Sequence, residues 1–212
     1  MNINHVKNYL KMKKKILIII ACIAMISCKK SESELDRTIF IPDEDNPSLP
    51  EYSEWGYNAF GAKYERTYFV ASNEIVPCKI MYSNDSISFF IQGVMGSGYS
   101  KNSMSLTFTF PLDGITDYND LLILNKKVID LSSGCVVMMA VDNSEKKLDV
   151  IKGELVFKRV QQLSVDDIAN RVIISGTFDI QFVGAGLFPE NLSDGRFDFG
   201  ITEREFYYTL NP

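Results

Sequence analysis

Alternation between polar and apolar residues is the feature that most restricts the fold of this chain. Residues 103–110, SMSLTFTF, alternate at every position, and residues 172–182 carry an apolar residue or glycine at every second position. A period of two places these side chains on one face of an extended chain, which predicts half-buried β-strands. The shorter segments 87–91, 197–201 and 206–210 repeat the pattern. The sequence therefore predicts many short strands.

Turn-forming residues separate these segments, at Asn84-Asp85, Asp113-Gly114, Asp142-Asn143 and Asp194-Gly195. Such residues favour tight turns. One helical turn is predicted over residues 164–170, where Ser164 supplies an N-cap and two aspartates suit a helix N-terminus. Short strands joined by turns predict an all-β fold, an antiparallel β-sandwich. An open or closed antiparallel β-barrel is the alternative.

One segment departs from the alternation. Residues 135–141, CVVMMAV, are apolar on both faces, and both faces of such a strand are expected to be covered. A central strand beneath a loop or hairpin explains the pattern. An apolar ligand groove lined by Met138 or Met139 is the alternative, because methionine adapts to varied partners.

The first 27 residues predict an export signal. Three lysines at 13–15 precede an apolar segment, residues 16–26. A basic start followed by a short hydrophobic core is typical of a secretory signal, and the segment is shorter than the roughly 20 residues of a transmembrane helix. Because Met12 and the three lysines already form a complete basic start, we expect translation to begin at Met12.

Residues 25–28, Met-Ile-Ser-Cys, resemble the lipobox of bacterial lipoproteins. In that family the cysteine sulfur takes a diacylglycerol, the signal is removed before the cysteine, and the new amino terminus is acylated. Several acyl chains together hold a protein firmly to a membrane. The resemblance implies lipid attachment at Cys28. Lys29 is not the aspartate that retains such proteins in the inner membrane, so the outer membrane is implied, at its periplasmic or cell-surface face. A plain secreted protein is the alternative.

The mature chain is strongly acidic. Five of the 22 Lys and Arg residues precede Cys28 and no Asp or Glu does, which leaves 17 basic against 27 acidic residues, a formal charge of −10. Nucleic-acid binding needs clustered basic residues, so we expect no nucleic-acid partner. Residues 28–54, rich in Ser, Pro and acidic residues, predict an extended tether. Residues 55–212 then form a single all-β domain.

The residue types for common catalytic sites are missing from the mature chain. The only histidine, His5, precedes Cys28, which excludes Ser–His and Cys–His catalysis and histidine-ligated zinc. The acidic segment 43–46 lacks the spacing and glycine of a calcium loop. The glycine-rich segment 93–98 precedes a strand, which predicts a flexible loop and not a phosphate site.

Paired carboxylates remain an alternative, as in glycoside hydrolysis, from the acids Asp179, Asp194, Asp198 and Glu203. However, Asp179 falls on the polar face of a strand and Asp194 precedes Gly195, as in a turn. We therefore predict no enzyme activity, no catalytic residue, no metal and no cofactor.

Two mature cysteines and one serine are candidates for covalent chemistry. Cys78 and Cys135 form a disulfide in an exported chain, or else remain two buried free thiols. Asp85-Ser86-Ile87 resembles a short acceptor for O-linked glycans on exported proteins of some Gram-negative anaerobes. The adjacent turn would hold Ser86 at the surface, although three such residues also recur by chance.

Four segments resemble a family of small lipoproteins of unknown function from Gram-negative anaerobic bacteria. They are YNAFGAKYERTYFV at 57–70, GELVFKRV at 153–160, IISGTFDIQF at 173–182 and LSDGRFDFGI at 192–201, in the order found in that family. The resemblance implies an extracytoplasmic β-domain and brings no activity with it.

Two functions remain for such a domain. The first is a non-catalytic binding module that presents its surface to a glycan, peptide, protein or apolar ligand. Trp55 and Tyr57 are candidate contacts, because aromatic side chains stack on ligands, although core or edge positions also explain them. The second is a structural or interaction subunit of an envelope complex. A deep pocket favours the first function and a large exposed apolar patch favours the second.

The lipid anchor gives a direct prediction. Replacing Cys28→Ala removes the only thiol of the lipobox and with it the site of diacylglycerol attachment, so we expect the variant to leave the membrane fraction. Detergent phase partitioning of parent and variant measures this. A variant that still partitions with the detergent would place the anchor elsewhere.

Overall fold

A computed structural model describes residues 37–72, 76–97, 100–142, 144–165, 168–184 and 188–209. The export signal, Cys28 and the first part of the predicted tether lie outside these residues. No helix among the described residues is long and apolar enough to span a membrane. The described chain from Arg37 onward forms one compact unit.

This unit is almost entirely β-structure, which confirms the all-β prediction. The described residues of this unit contain one 3-10 helix (Tyr118–Leu124), capped by Asp117, whose side chain accepts a hydrogen bond from the Asn119 amide. The strands are β1 (Ala59–Tyr64), β2 (Thr67–Val70), β3 (Cys78–Ser83), β4 (Ser86–Ser97), β5 (Ser100–Pro111), β6 (Val128–Asp130), β7 (Val136–Val141), β8 (Ser144–Lys147), β9 (Val150–Val165), β10 (Ile168–Val183), β11 (Pro189–Ile201) and β12 (Phe206–Tyr208).

The strands form one sheet in the order β6-β9-β10-β11-β1-β2-β4-β5-β7-β8. Along this path the neighbours are antiparallel; β3 pairs with β4, and β12 pairs parallel to β3. The first half of β4 therefore pairs with β3 and its second half with β2. A Cβ at Gly93, where the partner changes, would lie 2.2 Å from the Val70 carbonyl oxygen, so only glycine fits. The predicted loop at 93–98 is thus wrong for residues 93–97.

The sheet curls into a half-barrel around one core. The ring of Phe157 on β9 lies 5.4 Å from Phe89 on β4 and 6.2 Å from Phe110 on β5. Phe178 on β10 lies 5.3 Å from Phe108 on β5. Because β9 and β10 are far from β4 and β5 in the strand order, these contacts require the two ends of the sheet to face each other. The arrangement fits the predicted sandwich-like or barrel-like class.

Only one face of β7 contributes side chains to the core. Val137 and Met139 are each 1% exposed, whereas Val136 is 37% exposed and Met138 is half-buried on the outer face. The expectation that both faces are covered is therefore wrong. β7 lies next to the short edge strand β8, so no element among the described residues fully covers its outer side.

β9 and β10 continue through the segment predicted as a helical turn. Ser164 pairs with Ala169 and Val165 with Ile168, so the prediction is wrong for the described residues of 164–170. The two strands pair along almost their whole length, and this extended ladder overrides the local capping signal.

The predicted tether is wrong from Arg37 onward. Leu49 is fully buried, and a Cβ added to Gly61 of β1 would lie 2.3 Å from the Pro50 ring. Arg196 on β11 donates to the Asp43 carboxylate at 2.6 Å. These contacts attach residues 37–57, which we call the strap, to the outer face of β1 and β11. The domain therefore begins at Arg37 and not at residue 55.

The predicted disulfide is absent, and Cys78 and Cys135 are both free. Cys78 aligns across the sheet with Ile91, Leu106 and Met139, three strand spacings or about 14 Å away, and Cys135 lies four residues further along the chain. A disulfide needs Cα atoms within about 7 Å. Of the two predicted states, the free thiols are present, with Cys78 buried and Cys135 half-buried.

Candidate functional site

A buried carboxylate on β11 holds the end of the strap. Asp198 is 2% exposed and accepts hydrogen bonds from three consecutive backbone amides, those of Trp55 at 3.1 Å, Gly56 at 2.8 Å and Tyr57 at 3.2 Å. The hydroxyls of Ser53 and Ser175 also donate to it. Hydrogen bonds to a charged group are stronger than neutral ones, so this carboxylate fixes the backbone of the turn.

The backbone of this turn has two left-handed residues. Gly56 has φ of 76° and Asn58 has φ of 53°, conformations that glycine and asparagine adopt most readily. The buried Asn58 side chain accepts a hydrogen bond from the Gly200 amide at 3.0 Å. The turn is therefore attached to β11 at two positions, Asp198 and Gly200.

The side chain at the tip of this turn faces solvent. Trp55, the only tryptophan of the chain, is 72% exposed. Its backbone amide is fixed by Asp198, whereas most of its indole surface remains in water. Ordering a side chain or loop opposes binding, so a ring with an already fixed backbone is prepared for contact with a ligand.

A cleft of about 310 Å³ lies beside Trp55. It is lined by the end of the strap and by the outer face of β9, through Tyr52, Ser53, Glu54, Trp55, Arg159 and Gln161. The cleft therefore combines one exposed aromatic ring with hydroxyl, carboxylate, guanidinium and amide groups.

Glu54 connects the polar groups of the cleft. Its carboxylate accepts from the Tyr52 hydroxyl and from Arg159 Nη1, each at 2.9 Å, and its carbonyl accepts from Gln161 Nε2 at 2.9 Å. The Arg159 hydrogen bond lowers the pKa of Glu54. Burial, followed by the hydrogen bond to Glu54, raises the pKa of Tyr52. At neutral pH the cleft thus contains a carboxylate and a protonated phenol.

A second cation flanks the cleft. Lys158 Nζ lies 4.7 Å from the centre of the Tyr52 ring, within the range of a cation–π interaction. Its neighbour Arg159 keeps 54% of its side chain exposed despite the ion pair with Glu54. Lys158 and Arg159 therefore place two positive charges beside the one negative charge of Glu54.

The sequence-predicted ligand residues separate into two regions. Trp55 and the half-buried Tyr57 lie together on the strap, but Met138 and Met139 lie on β7 and point to opposite faces of the sheet. Met139 belongs to the core, and neither methionine lines the Trp55 cleft. Sequence reasoning missed Tyr52, Glu54, Arg159 and Gln161, because their proximity depends on the strap folding onto β9.

The carboxylates considered for catalysis have different roles. Asp198 is occupied by its five donors, and Asp179 accepts from the Asp194 amide at 3.1 Å. Asp179 also lines a separate, wider groove of about 590 Å³ with Glu154 and Lys152, and burial raises its pKa. The described residues contain no group of three or more His, Cys, Asp or Glu side chains that could hold a metal ion.

Ser86 begins β4 directly after the predicted turn. Asn84 and Asp85 have φ of 52° and 55°, which confirms a tight hairpin between β3 and β4. Ile87 is buried and Ser86 half-buried, so the Ser86 side chain points to the outer face. O-glycosylation of Ser86 stays a prediction.

Comparison of the chain with protein-family models, curated proteins and solved structures finds no match.

The Asp198 contacts predict a large loss of stability in Asp198→Asn. The amide replaces one acceptor oxygen by an NH₂ donor that faces backbone amides, so buried donors lose their partner. We expect the free energy of unfolding to fall by about 2–4 kcal/mol, measured by urea denaturation. The matched variant Asp113→Asn changes an exposed loop aspartate and should fall by less than about 0.5 kcal/mol. Equal stability of the two variants would contradict the role given to Asp198.

Proposed function

We propose that this chain is a lipid-anchored, non-catalytic binding module of the outer membrane, and that the cleft beside Trp55 is its ligand contact. The observation that most supports this proposal is that the Trp55 side chain is 72% exposed while its backbone amide is fixed by the buried Asp198 carboxylate. Tryptophan, tyrosine and arginine dominate binding hot spots, and Trp55, Tyr52 and Arg159 all line this cleft.

The polar groups of the cleft support binding and not catalysis. The pKa of Glu54 is lowered, and its carboxylate accepts hydrogen bonds from both Arg159 and Tyr52. Glu54 is therefore a poor proton donor at neutral pH. Asp198 is buried beneath the turn and serves its backbone. These two carboxylates therefore orient the surface groups.

The anchor would hold this surface close to the membrane. Eight residues, 29–36, separate Cys28 from the strap. Even when fully extended, they span at most about 29 Å. A lipid on Cys28 therefore confines the domain to a layer near the lipid head groups, nearer than the longer tether expected from composition would allow.

An interaction subunit is the second candidate. Tyr207, Met81 and Val136 are 46%, 42% and 37% exposed. The strand register places them in one row across β12, β3, β4, β5 and β7, with Ser88 and Thr109 between them. Apolar side chains in such a row favour contact with another protein. Sedimentation of the detergent-solubilised protein alone and with envelope extract would test this candidate.

The single tryptophan makes the binding proposal testable. Because Trp55 is the only tryptophan of the chain, tryptophan emission reports on this side chain alone, and a ligand that stacks on the indole changes the spectrum. We expect a screen of glycans and peptides to find such a ligand, and Trp55→Ala to weaken its binding at least tenfold, or about 1.4 kcal/mol. Binding by the variant is measured by calorimetry.

Phe188→Ala is the matched control, since Phe188 is 74% exposed and does not line the cleft. It should change the affinity less than about twofold. A ligand that binds parent and Trp55→Ala equally well would contradict the proposal, because its site would lie elsewhere.

A further inference from the structure

We infer that the cleft beside Trp55 recognises an acidic saccharide, with a sugar ring on the indole and the sugar carboxylate on Arg159. The inference rests on the proposed function of this cleft and adds the chemical class of its ligand. It is carried by the shape of the cleft, by the chemistry of its lining and by its charge.

The size and lining fit a sugar. At about 310 Å³ the cleft lies at the small end of ligand sites, so it accommodates one or two sugar rings more readily than a folded partner. Its one exposed apolar surface is the flat indole of Trp55, and the remaining lining side chains are polar or carry a hydroxyl. A sugar ring has the complementary character, with a C–H face and a rim of hydroxyl groups.

The hydrogen-bonding groups suit hydroxyl groups at that rim. The Glu54 carboxylate accepts two hydrogen bonds and has lone pairs for others. Gln161 donates through Nε2 to the Glu54 carbonyl, and its amide oxygen is a further acceptor. Both groups are held in place by these contacts, which lowers the entropic cost of binding.

The charge points to an acidic sugar. A guanidinium has five N–H donors in a planar fork that matches a carboxylate, and Arg159 donates to Glu54 through Nη1. More than half of this side chain is exposed. Lys158 adds a second cation beside the cleft, and Glu54 is the acid that lines it, while the Asp198 carboxylate beneath the turn is compensated by its five donors. The charges that face the cleft are therefore two cations and one carboxylate, which favours an anionic ligand.

Tryptophan emission of the lipidated protein in detergent provides the test. The probes are an oligogalacturonate and sialyllactose, each beside a neutral counterpart, the carboxyl-reduced oligosaccharide and lactose. We expect at least one acidic probe to bind about tenfold or more tightly than its counterpart at low salt. Raising NaCl from about 0.05 M to about 0.5 M should remove most of this difference, because exposed charges are screened.

Arg159→Gln should lower the affinity for the acidic probe to about that for the neutral probe, and so remove the preference. Arg159→Lys keeps the charge without the fork, so it should retain only part of the preference. Lys152→Gln is the matched control, because Lys152 is a cation of the same strand β9 that lines the other groove. It should leave both affinities unchanged, and thermal unfolding confirms that the variants are folded.

Three results would overturn the inference: equal binding of acidic and neutral probes, an acidic preference that survives Arg159→Gln, or no emission change with any saccharide. A non-saccharide ligand whose affinity depends on Trp55 would overturn only this inference and leave the proposed function in place. Ligands whose affinities are all independent of Trp55 would overturn both.

Discussion

The carboxylate of Asp198 is the interaction on which the surface of this protein depends. It faces outward from β11, yet it is buried because the strap covers it, and it satisfies the amides of Trp55, Gly56 and Tyr57. A buried charge is costly unless hydrogen bonds compensate for it, and here five donors do so. The carboxylate and the strap therefore require each other, and their contact joins residues more than 140 positions apart in the sequence.

This arrangement separates the stability of the domain from its candidate function. The core is formed by aromatic contacts between the two ends of the curled sheet, through Phe157, Phe89 and Phe110. The candidate binding groups lie outside it, on the strap and on the outer face of β9. Exposing the Trp55 indole leaves apolar surface in water, which burial would otherwise stabilise. Fixing its backbone in advance lowers the ordering cost of binding, and this is the physical basis of the proposed function.

The sequence predicted the elements whose signals are local. Alternation at 103–110 and 172–182 predicted β5 and β10, and Asn84-Asp85 predicted a hairpin turn, because the pattern and the conformation involve neighbouring residues. It failed where distant contacts decide the outcome. The composition of the acidic strap predicted a solvated segment, yet Leu49 is fully buried. Pro50 packs against Gly61, where an added Cβ would lie only 2.3 Å from the proline ring. Asp198 alternates with Phe197 and Phe199 and so resembled a solvent-facing residue; no local signal marks its five donors. Its pairing with the strap and the position of Arg159 beside Glu54 both depend on contacts between distant parts of the chain. Neither could therefore be predicted from the sequence.

Amide hydrogen exchange at Trp55, Gly56 and Tyr57 measures directly whether the Asp198 carboxylate fixes this turn. These amides lie in a surface turn outside the β-ladders, so without Asp198 they would exchange at nearly the rate of an unfolded chain. We expect protection close to that of the β11 amides, because opening the turn would expose a buried carboxylate together with its donors. Rapid exchange of all three amides in the folded protein, while β11 remains protected, would contradict it.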